Sequence, residues 1–251
     1  VGEYLALAAI NRAIHPTSKR AFFDWFSTTT LRRYFPKASK TALVSQRFWD
    51  HMSAISAEQT LLIWKQILQG VVEREKLDLS SVCYDGTNFY SFIDTFNMRS
   101  DLAKRGKNKQ GRANLRQISY ALFCSADDKV PLYYNVYEGN RNDAKQFSVM
   151  LRQFQAFLKE LSGHSVQPSD VTVIFDKGNN SQKNFALIDE LGLHYVGSKK
   201  LSEMKELAEV SNTDSRFTPC TTLGLEQTKA WRVTQSVYGQ ERTVVVTYNQ
   251  E

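Results

Sequence analysis

The stretch Ser81-Val-Cys-Tyr-Asp85-Gly-Thr-Asn-Phe-Tyr90 decides the predicted fold, because its side chains alternate as in a central β-strand. Asp85 follows the more apolar half of this stretch, and the strand is predicted to continue to Tyr90. A second apolar run, Val171-Thr-Val-Ile-Phe175, ends in the same way, in Asp176-Lys-Gly178. The two runs therefore predict two strands that each deliver one carboxylate at the carboxyl end.

The patterns between and around these runs predict a mixed α/β sheet. Strands around Ile118–Leu122 and Pro131–Tyr137 are joined by a turn at residues 127–129, so the first three strands form an antiparallel meander with hairpin-length links. An amphipathic helix from about 143 to 161, the strand at 171–175, a helix capped by Ser181 and a strand at 193–197 follow. A right-handed crossover places the 171–175 strand parallel beside the first strand, on the side away from the hairpin. Asp85 and Asp176 are then neighbours at the edge where open sheets bind ligands.

Three segments are predicted. Residues 1–79 are expected to be helical, with Thr41 capping one helix and Ser56-Ala-Glu-Gln59 forming a capping box before another. This segment is either DNA-binding or a packed bundle with a solvated face. Residues 80–200 form the α/β core. Residues 201–251 read as a helix at 201–210 and a hairpin turning at 238–240, the start of a strand-rich insertion; we expect a fragment at both ends of the chain.

Composition narrows the class of protein. The 251 residues are 42% hydrophobic and 23% charged, which is typical of a globular protein, and the net charge of +6 favours an acidic partner such as nucleic acid. The three cysteines form no CxxC pair, which favours a reducing compartment, and the four histidines lack zinc-ligand spacing. No apolar run approaches the roughly 18 residues of a membrane span, so we expect no membrane association.

Two carboxylates at neighbouring strand ends are suited to hard cations such as Mg²⁺ or Mn²⁺. A pair of such ions about 3.5–4 Å apart activates a hydroxyl on one side of a phosphodiester and stabilises the leaving oxygen on the other. The alternative is that each aspartate caps a following helix. The coincidence of both acids at the predicted edge, with a basic segment in the same domain, favours the metal interpretation for Asp85 and Asp176.

Basic residues predict contacts with a phosphate backbone. The segment after the first strand supplies Lys104, Arg105, Lys107, Lys109 and Arg112, and Lys199 and Lys200 follow the last core strand. The alternative is that these charges are only solvated. Asn140 and Asp143 are expected to be caps of the amphipathic helix; the alternative is that they support the metal-binding acids from behind.

Several of these residues together resemble the bacterial insertion-sequence transposases, which are DDE (Asp-Asp-Glu) enzymes of RNase H-like fold. The resemblance covers about 81–200 and rests on Tyr84-Asp-Gly-Thr87, the loop 106–112, Val130-Pro-Leu132, Glu138-Gly-Asn140 with Asp143, and Phe175-Asp-Lys-Gly178 with Asn184. It implies that Asp85 and Asp176 are the first two metal-binding acids. It also implies Mg²⁺-dependent nicking and strand transfer on double-stranded DNA by a homodimer, in the nucleoid-associated cytoplasm of a bacterium.

The third acid of such enzymes is a glutamate within a Tyr…Arg…Glu…Lys pattern, which this sequence lacks. We expect the glutamate to lie beyond Glu251. The alternative function is a truncated, catalytically inactive transposase-derived protein that binds DNA. A phosphatase with an aspartate nucleophile is disfavoured, because its second acid would stand at the position of Thr87.

Overall fold

The computed structural model describes residues 1–94, 96–106, 111–112, 114–163 and 166–249. The chain divides into two compact units, Val1–Gly70 and the residues from Val71 onward. Each unit is described by itself. The predicted boundaries at 79/80 and 200/201 remain predictions.

The first unit is helical, as predicted, and has an aromatic core. Its helices are α1 (Gly2–Ile14), α2 (Phe22–Ser27), α3 (Ser45–Ser53) and the larger part of α4 (Ala57–Glu75). Tyr4, Leu7, Phe22, Phe26 and Leu43 form its buried cluster. Burying such side chains supplies most of the stability of short helices, which are marginal on their own.

The two predicted helix starts in this unit have different outcomes. The capping box is confirmed: the Ser56 amide donates to Gln59 Oε1 at 2.9 Å, and the Gln59 amide donates to Ser56 Oγ at 3.2 Å. The cap predicted at Thr41 is wrong, because α3 begins only at Ser45, after Val44. The Thr41 hydroxyl instead lies 3.0 Å from the Ser39 hydroxyl, within a turn.

The second unit is built on a mixed sheet. Its strands are β1 (Ser81–Ser91), β2 (Lys104–Arg105), β3 (Arg116–Ser125), β4 (Pro131–Glu138), β5 (Thr172–Phe175) and β6 (His194–Gly197). The spatial order is β2-β3-β1-β5-β6, and β4 also pairs with β3. The pairs β1–β3 and β3–β4 are antiparallel, whereas the pairs β1–β5 and β5–β6 are parallel. This is the predicted RNase H-like arrangement, and it is confirmed.

One predicted link is wrong. The connection from β1 to β3 is not of hairpin length, because residues 92–115 intervene and include β2. Lys104 and Arg105 pair with Gln117 and Arg116 at the start of β3, beyond the part of β3 that pairs with β4. The basic segment therefore begins as an edge strand of the sheet and not as a free loop.

Two helices complete the α/β core. α5 (Asp143–Leu161) connects β4 to β5, and α6 (Gln182–Glu190) connects β5 to β6. Ser181 caps α6 as predicted, accepting from the Asn184 amide at 3.1 Å. The cap of α5 is Asn142, which accepts from the Lys145 amide at 3.2 Å, so the prediction of Asn140 or Asp143 is wrong.

The two faces of the sheet are covered unequally. On one face Phe123 stacks on Phe154 of α5, with ring centroids 4.1 Å apart, and both rings are fully buried. Tyr84 and Phe175 each contact Phe147 of the same helix. On the other face the side chains are only half-buried: Cys83, Ile118, Tyr120, Leu122, Tyr134 and Ile174. The predicted apolar alternation of Ile118, Tyr120 and Leu122 thus marks the less covered face.

The residues after β6 form a short helix and a second sheet. The predicted helix at 201–210 is reduced to a 3₁₀ turn and α7 (Lys205–Ala208). β7 (Thr218–Pro219), β8 (Thr228–Val237) and β9 (Gln240–Asn249) form an antiparallel sheet. The predicted hairpin is confirmed, with Tyr238 and Gly239 at φ values of 53° and 82°, as a two-residue primed turn requires. In the described residues, no helix has the length and apolarity to cross a membrane.

The stacking of Phe123 on Phe154 predicts a large effect of truncation. Phe123→Ala should lower the free energy of unfolding by about 3–5 kcal/mol, because it leaves a cavity between β3 and α5. Leu223→Ala is the control and should change it by less than about 0.5 kcal/mol, because Leu223 is 93% exposed. Urea unfolding of both variants measures this difference, and equal midpoints would contradict the assignment of Phe123 to the core.

Candidate active site

Asp85 lies within β1, immediately after the part of the strand that pairs with β5. Its side chain is exposed, and Oδ1 accepts a hydrogen bond from the Gly86 amide at 2.8 Å. On its other side Asp85 is paired with Leu122 of β3. The carboxylate is therefore carried by backbone that pairs with β3 at Asp85 itself and with β5 up to the preceding residue.

Asp176 directly follows β5 and begins a 3₁₀ turn at Lys177–Asn179. Its Oδ1 accepts from the Gly178 amide and from Asn179 Nδ2, each at 3.0 Å. A side chain at Gly178 would place its Cβ 3.1 Å from that oxygen, so glycine permits the close turn. All of these bonds, to Asp85 as to Asp176, are made to Oδ1.

The register of β1 and β5 brings the two acids together. Tyr84 and Phe175 are partners in the parallel ladder, and Asp85 and Asp176 are the next residues. Neighbouring strands are about 4.8 Å apart. Tyr84 and Phe175 both contact Phe147, so they share a face. Because side chains alternate along extended backbone, both acids point toward the opposite, half-exposed face.

Asn184 fixes the turn that carries Asp176. Its side chain is buried on α6, and Nδ2 donates to the carbonyl of Asn179 at 2.7 Å and to that of Ala144 at 2.9 Å. The turn after β5 is thereby bound to the first residues of α5. The sequence resemblance included Asn184 but did not give it a role, which this contact supplies.

Asp85 and Asp176 supply some of the oxygen ligands that a hard divalent cation needs. Two exposed carboxylates on adjacent strands offer oxygen ligands of the kind that Mg²⁺ and Mn²⁺ prefer, and Mg²⁺ is commonly held by one or two carboxylates with water and phosphate. No group of three or more His, Cys, Asp or Glu residues positioned for a metal exists within the described residues. The described residues therefore place two acids side by side, where the resemblance implies three.

The predicted basic contacts lie in different environments. Arg105 and Arg112 are exposed, and the Arg112 guanidinium lies 4.7 Å from the centre of the Tyr90 ring. Lys104 is half-buried, with its ammonium 3.9 Å from Asp101. Lys107 and Lys109 lie outside the described residues. Because Gln117 of β3 is the partner of both Tyr90 and Lys104, β2 lies five residues, or about 17 Å, along β1 from Asp85.

Lys199 and Lys200 differ in their partners. The Lys199 ammonium is 2.5 Å from Glu203 and 4.1 Å from the centre of the Tyr238 ring. The hydrogen bond from Lys199 lowers the pKa of the Glu203 carboxyl, so this pair is charged at neutral pH. Lys200 is exposed. Their role in binding DNA stays a prediction.

Two side chains at the start of β3 make contacts that the sequence does not predict. The Arg116 side chain is buried and donates to four backbone carbonyls, those of Asp94, Asn97, Ser100 and Ala103. Gln117 Nε2 donates to the Gly139 carbonyl at 2.6 Å. A Cβ on Gly139 would lie 2.0 Å from the Gln117 carbonyl oxygen, and one on Gly106 would lie 2.3 Å from the Gly139 carbonyl oxygen. These glycines allow the ends of β2, β3 and β4 to meet.

An acid directly after each of two ladder partners on adjacent parallel strands of an RNase H-like sheet is the arrangement expected of a DDE domain. The chain belongs to the transposase DDE domain family, whose sequence profile matches residues 81–250.

Solved structures of Mos1 transposase are similar at low identity. A Mos1 paired-end complex with the left transposon end is 11% identical, with 76% of this chain and 57% of that chain covered and a TM-score of 0.32. The Mos1 mariner catalytic domain is also 11% identical, with coverages of 61% and 71% and a TM-score of 0.32. A Mos1 paired-end complex with Mn is 13% identical, with coverages of 70% and 56% and a TM-score of 0.32. The chain spans about 57–62% of the length of the first two Mos1 chains it matches. The curated proteins gave no match.

The role of Asn184 predicts a loss of stability. Asn184→Ala should lower the free energy of unfolding by about 1–3 kcal/mol, because the carbonyls of Asn179 and Ala144 lose their donor in a buried position. Lys183→Ala, an exposed neighbour on α6, is the control. Thermal unfolding measures both variants, and equal stability would show that the Asp176 turn does not depend on this contact.

Proposed function

We propose that this chain is the catalytic region of a DNA transposase that nicks DNA at the ends of an insertion-sequence element and transfers the freed strand. The observation that carries this proposal is the position of Asp85 and Asp176 directly after a pair of ladder partners on adjacent parallel strands, in a chain of the transposase DDE domain family. The substrate is double-stranded DNA, both at the element ends and at the target.

The two carboxylates have a defined task in this reaction. Bound Mg²⁺ or Mn²⁺ supplies a nucleophile at neutral pH and offsets charge on the reacting phosphate. Asp85 and Asp176 hold the cations through the oxygens that their backbone contacts leave available. The nucleophilic oxygen, from water in nicking or from a 3′-hydroxyl in strand transfer, attacks phosphorus as the opposite P–O bond breaks. Fixed strands keep both acids in place without reorganisation, which favours the transition state.

A third acid is still required, and the uneven coverage of the sheet supports a position for it. Cys83 and Ile174 precede the two acids by two residues and lie on the same half-exposed face. A helix packed on that face would bury apolar side chains and present a glutamate beside Asp85 and Asp176. We propose that the third acid is supplied from this side.

The DNA is proposed to follow the sheet from the acids toward β2. Lys104, Arg105 and Arg112, together with Lys107 and Lys109 of the same segment, contact phosphates, and Lys200 contributes from the end of β6. Lys199 contributes less, because binding DNA would have to replace its contacts with Glu203 and Tyr238. We also propose that the complete protein acts as a homodimer, because two element ends must be joined to one target. Its bacterial origin and nucleoid association follow from the resemblance alone.

The second candidate function is an inactive, transposase-derived DNA-binding protein. The observation that favours it is that no three-acid group occurs within the described part of the chain. Such a protein would bind element ends without cutting them. Incubation of the complete reading frame with Mg²⁺ and element-end DNA separates the two functions, because only the transposase produces a nick.

Neutralising either acid tests the catalytic proposal. Asp85→Asn and Asp176→Asn should each reduce Mg²⁺-dependent nicking by more than ~100-fold, since loss of a direct ligand exceeds the 10–100-fold cost typical of an outer partner. Asp128→Asn, in the exposed turn between β3 and β4, is the matched control and should cut normally. Gel analysis of end-labelled DNA gives the rates, and wild-type nicking by either site variant would refute the two-acid assignment.

The salt dependence of binding tests the basic track. The double variant Arg105→Ala/Arg112→Ala should reduce the slope of log K against log salt concentration by about 2, because each lost phosphate contact removes about 0.9. The control Lys183→Ala/Lys205→Ala removes two exposed cations elsewhere and should keep the slope. Fluorescence anisotropy with duplex DNA measures both, and an unchanged slope in the first variant would exclude phosphate contacts by these arginines.

A further inference from the structure

Large apolar side chains are exposed in the connection after β1. Phe92 is 80% exposed, and Phe96 and Met98 are each 87% exposed. We call these three residues the aromatic segment. Large apolar side chains that are so exposed and so close in sequence make this connection a candidate binding surface.

Hydrogen bonds hold the backbone next to Phe96 and Met98. The Arg116 guanidinium donates to the carbonyls of Asp94, Asn97 and Ser100, at 3.1, 2.7 and 2.7 Å. The Phe96 amide also donates to Asp94 Oδ1 at 2.8 Å. The Phe96 ring is therefore presented by a backbone that is hydrogen-bonded on both sides, which lowers the entropy cost of binding.

Basic residues are frequent in the sequence around these rings. The Phe92 ring meets the Tyr90 ring edge-on at 6.0 Å, and Arg112 lies 4.7 Å over Tyr90. Residues 92–112 contain six basic and two acidic residues, and Arg99 and Arg105 are exposed. Aromatic rings interleaved with cations are suited to nucleic acid, because bases stack on the rings while the cations contact phosphates.

We infer that the aromatic segment binds unpaired DNA bases by stacking on Phe92 and Phe96. Bases within a duplex are stacked on each other, so exposed rings gain a stacking partner only from a base that has left the helix. Tyr90, next to the segment, lies five residues along β1 from Asp85, about 17 Å, within a few nucleotides of the cutting site. This inference rests on the proposed function, because nicking produces the strand ends that become unpaired.

The test separates stacking from general apolar contact. Phe92→Leu/Phe96→Leu keeps apolar side chains but removes both rings, Phe92→Trp/Phe96→Trp keeps aromatic rings, and Leu223→Ala is the exposed control. Binding of a 2-aminopurine-containing single strand and of the corresponding duplex is measured in EDTA, so that no cutting is needed. Sedimentation of each free protein reports self-association.

Stacking predicts that the leucine variant binds the single strand at least ~5-fold more weakly, which is the loss of affinity expected when one stacked base is lost. The same variant should lose the quenching of 2-aminopurine fluorescence. The tryptophan variant and Leu223→Ala should keep both, and duplex affinity should not change. The inference is overturned if the leucine variant binds the single strand as well as the wild type or if both DNA forms lose affinity equally. Concentration-dependent self-association that an alanine variant of both positions abolishes would assign the surface to a second copy instead. If the complete protein does not nick DNA, the proposed function is refuted. The binding measurements, which need no nicking, would still test whether bases stack on Phe92 and Phe96.

Discussion

The parallel pairing of β1 with β5 is the constraint on which the rest of the structure depends. Four consecutive pairs, from Ser81 with Thr172 to Tyr84 with Phe175, set the register of the two strands. A shift of one residue would move one acid to the opposite face of the sheet. Phe147 of α5 opposes such a shift, because it contacts both Tyr84 and Phe175 at 4.9 Å. The packing of one helix against one face thus orders the chemistry on the other.

The two faces of the sheet carry different side chains. One face is covered by α5 and is rich in buried aromatic rings. The other face is half-buried and carries Asp85 and Asp176. β1 continues well past the end of its pairing with β5 and pairs with β3 over its full remaining length. That extension leads from Asp85 to the aromatic segment, and β3, which pairs with both strands, links it to the basic edge strand β2.

Strong periodic signals made most of the core predictable from the sequence. The apolar stripe of α5, the alternation in β1 and the run before Asp176 determined the order of strands, and the right-handed crossover rule then placed the acids side by side. The cap of α5 was assigned to the wrong residue, because Asn140, Asn142 and Asp143 are all suitable cap types within four positions. β2 was missed because two residues are too short to show alternation. Arg116 was missed because its partners are backbone carbonyls, which any sequence supplies.

The proposed reaction requires a cation that the carboxylates of Asp85 and Asp176 share. Crystals of the protein soaked with Mn²⁺ test this most directly, because anomalous scattering locates the ion independently of the chain. We predict an anomalous peak bonded to a carboxylate oxygen of each aspartate at about 2.1 Å, on the face of the sheet opposite Phe147. A peak bonded to neither acid, or side chains of Asp85 and Asp176 on opposite faces of the sheet, would contradict the account.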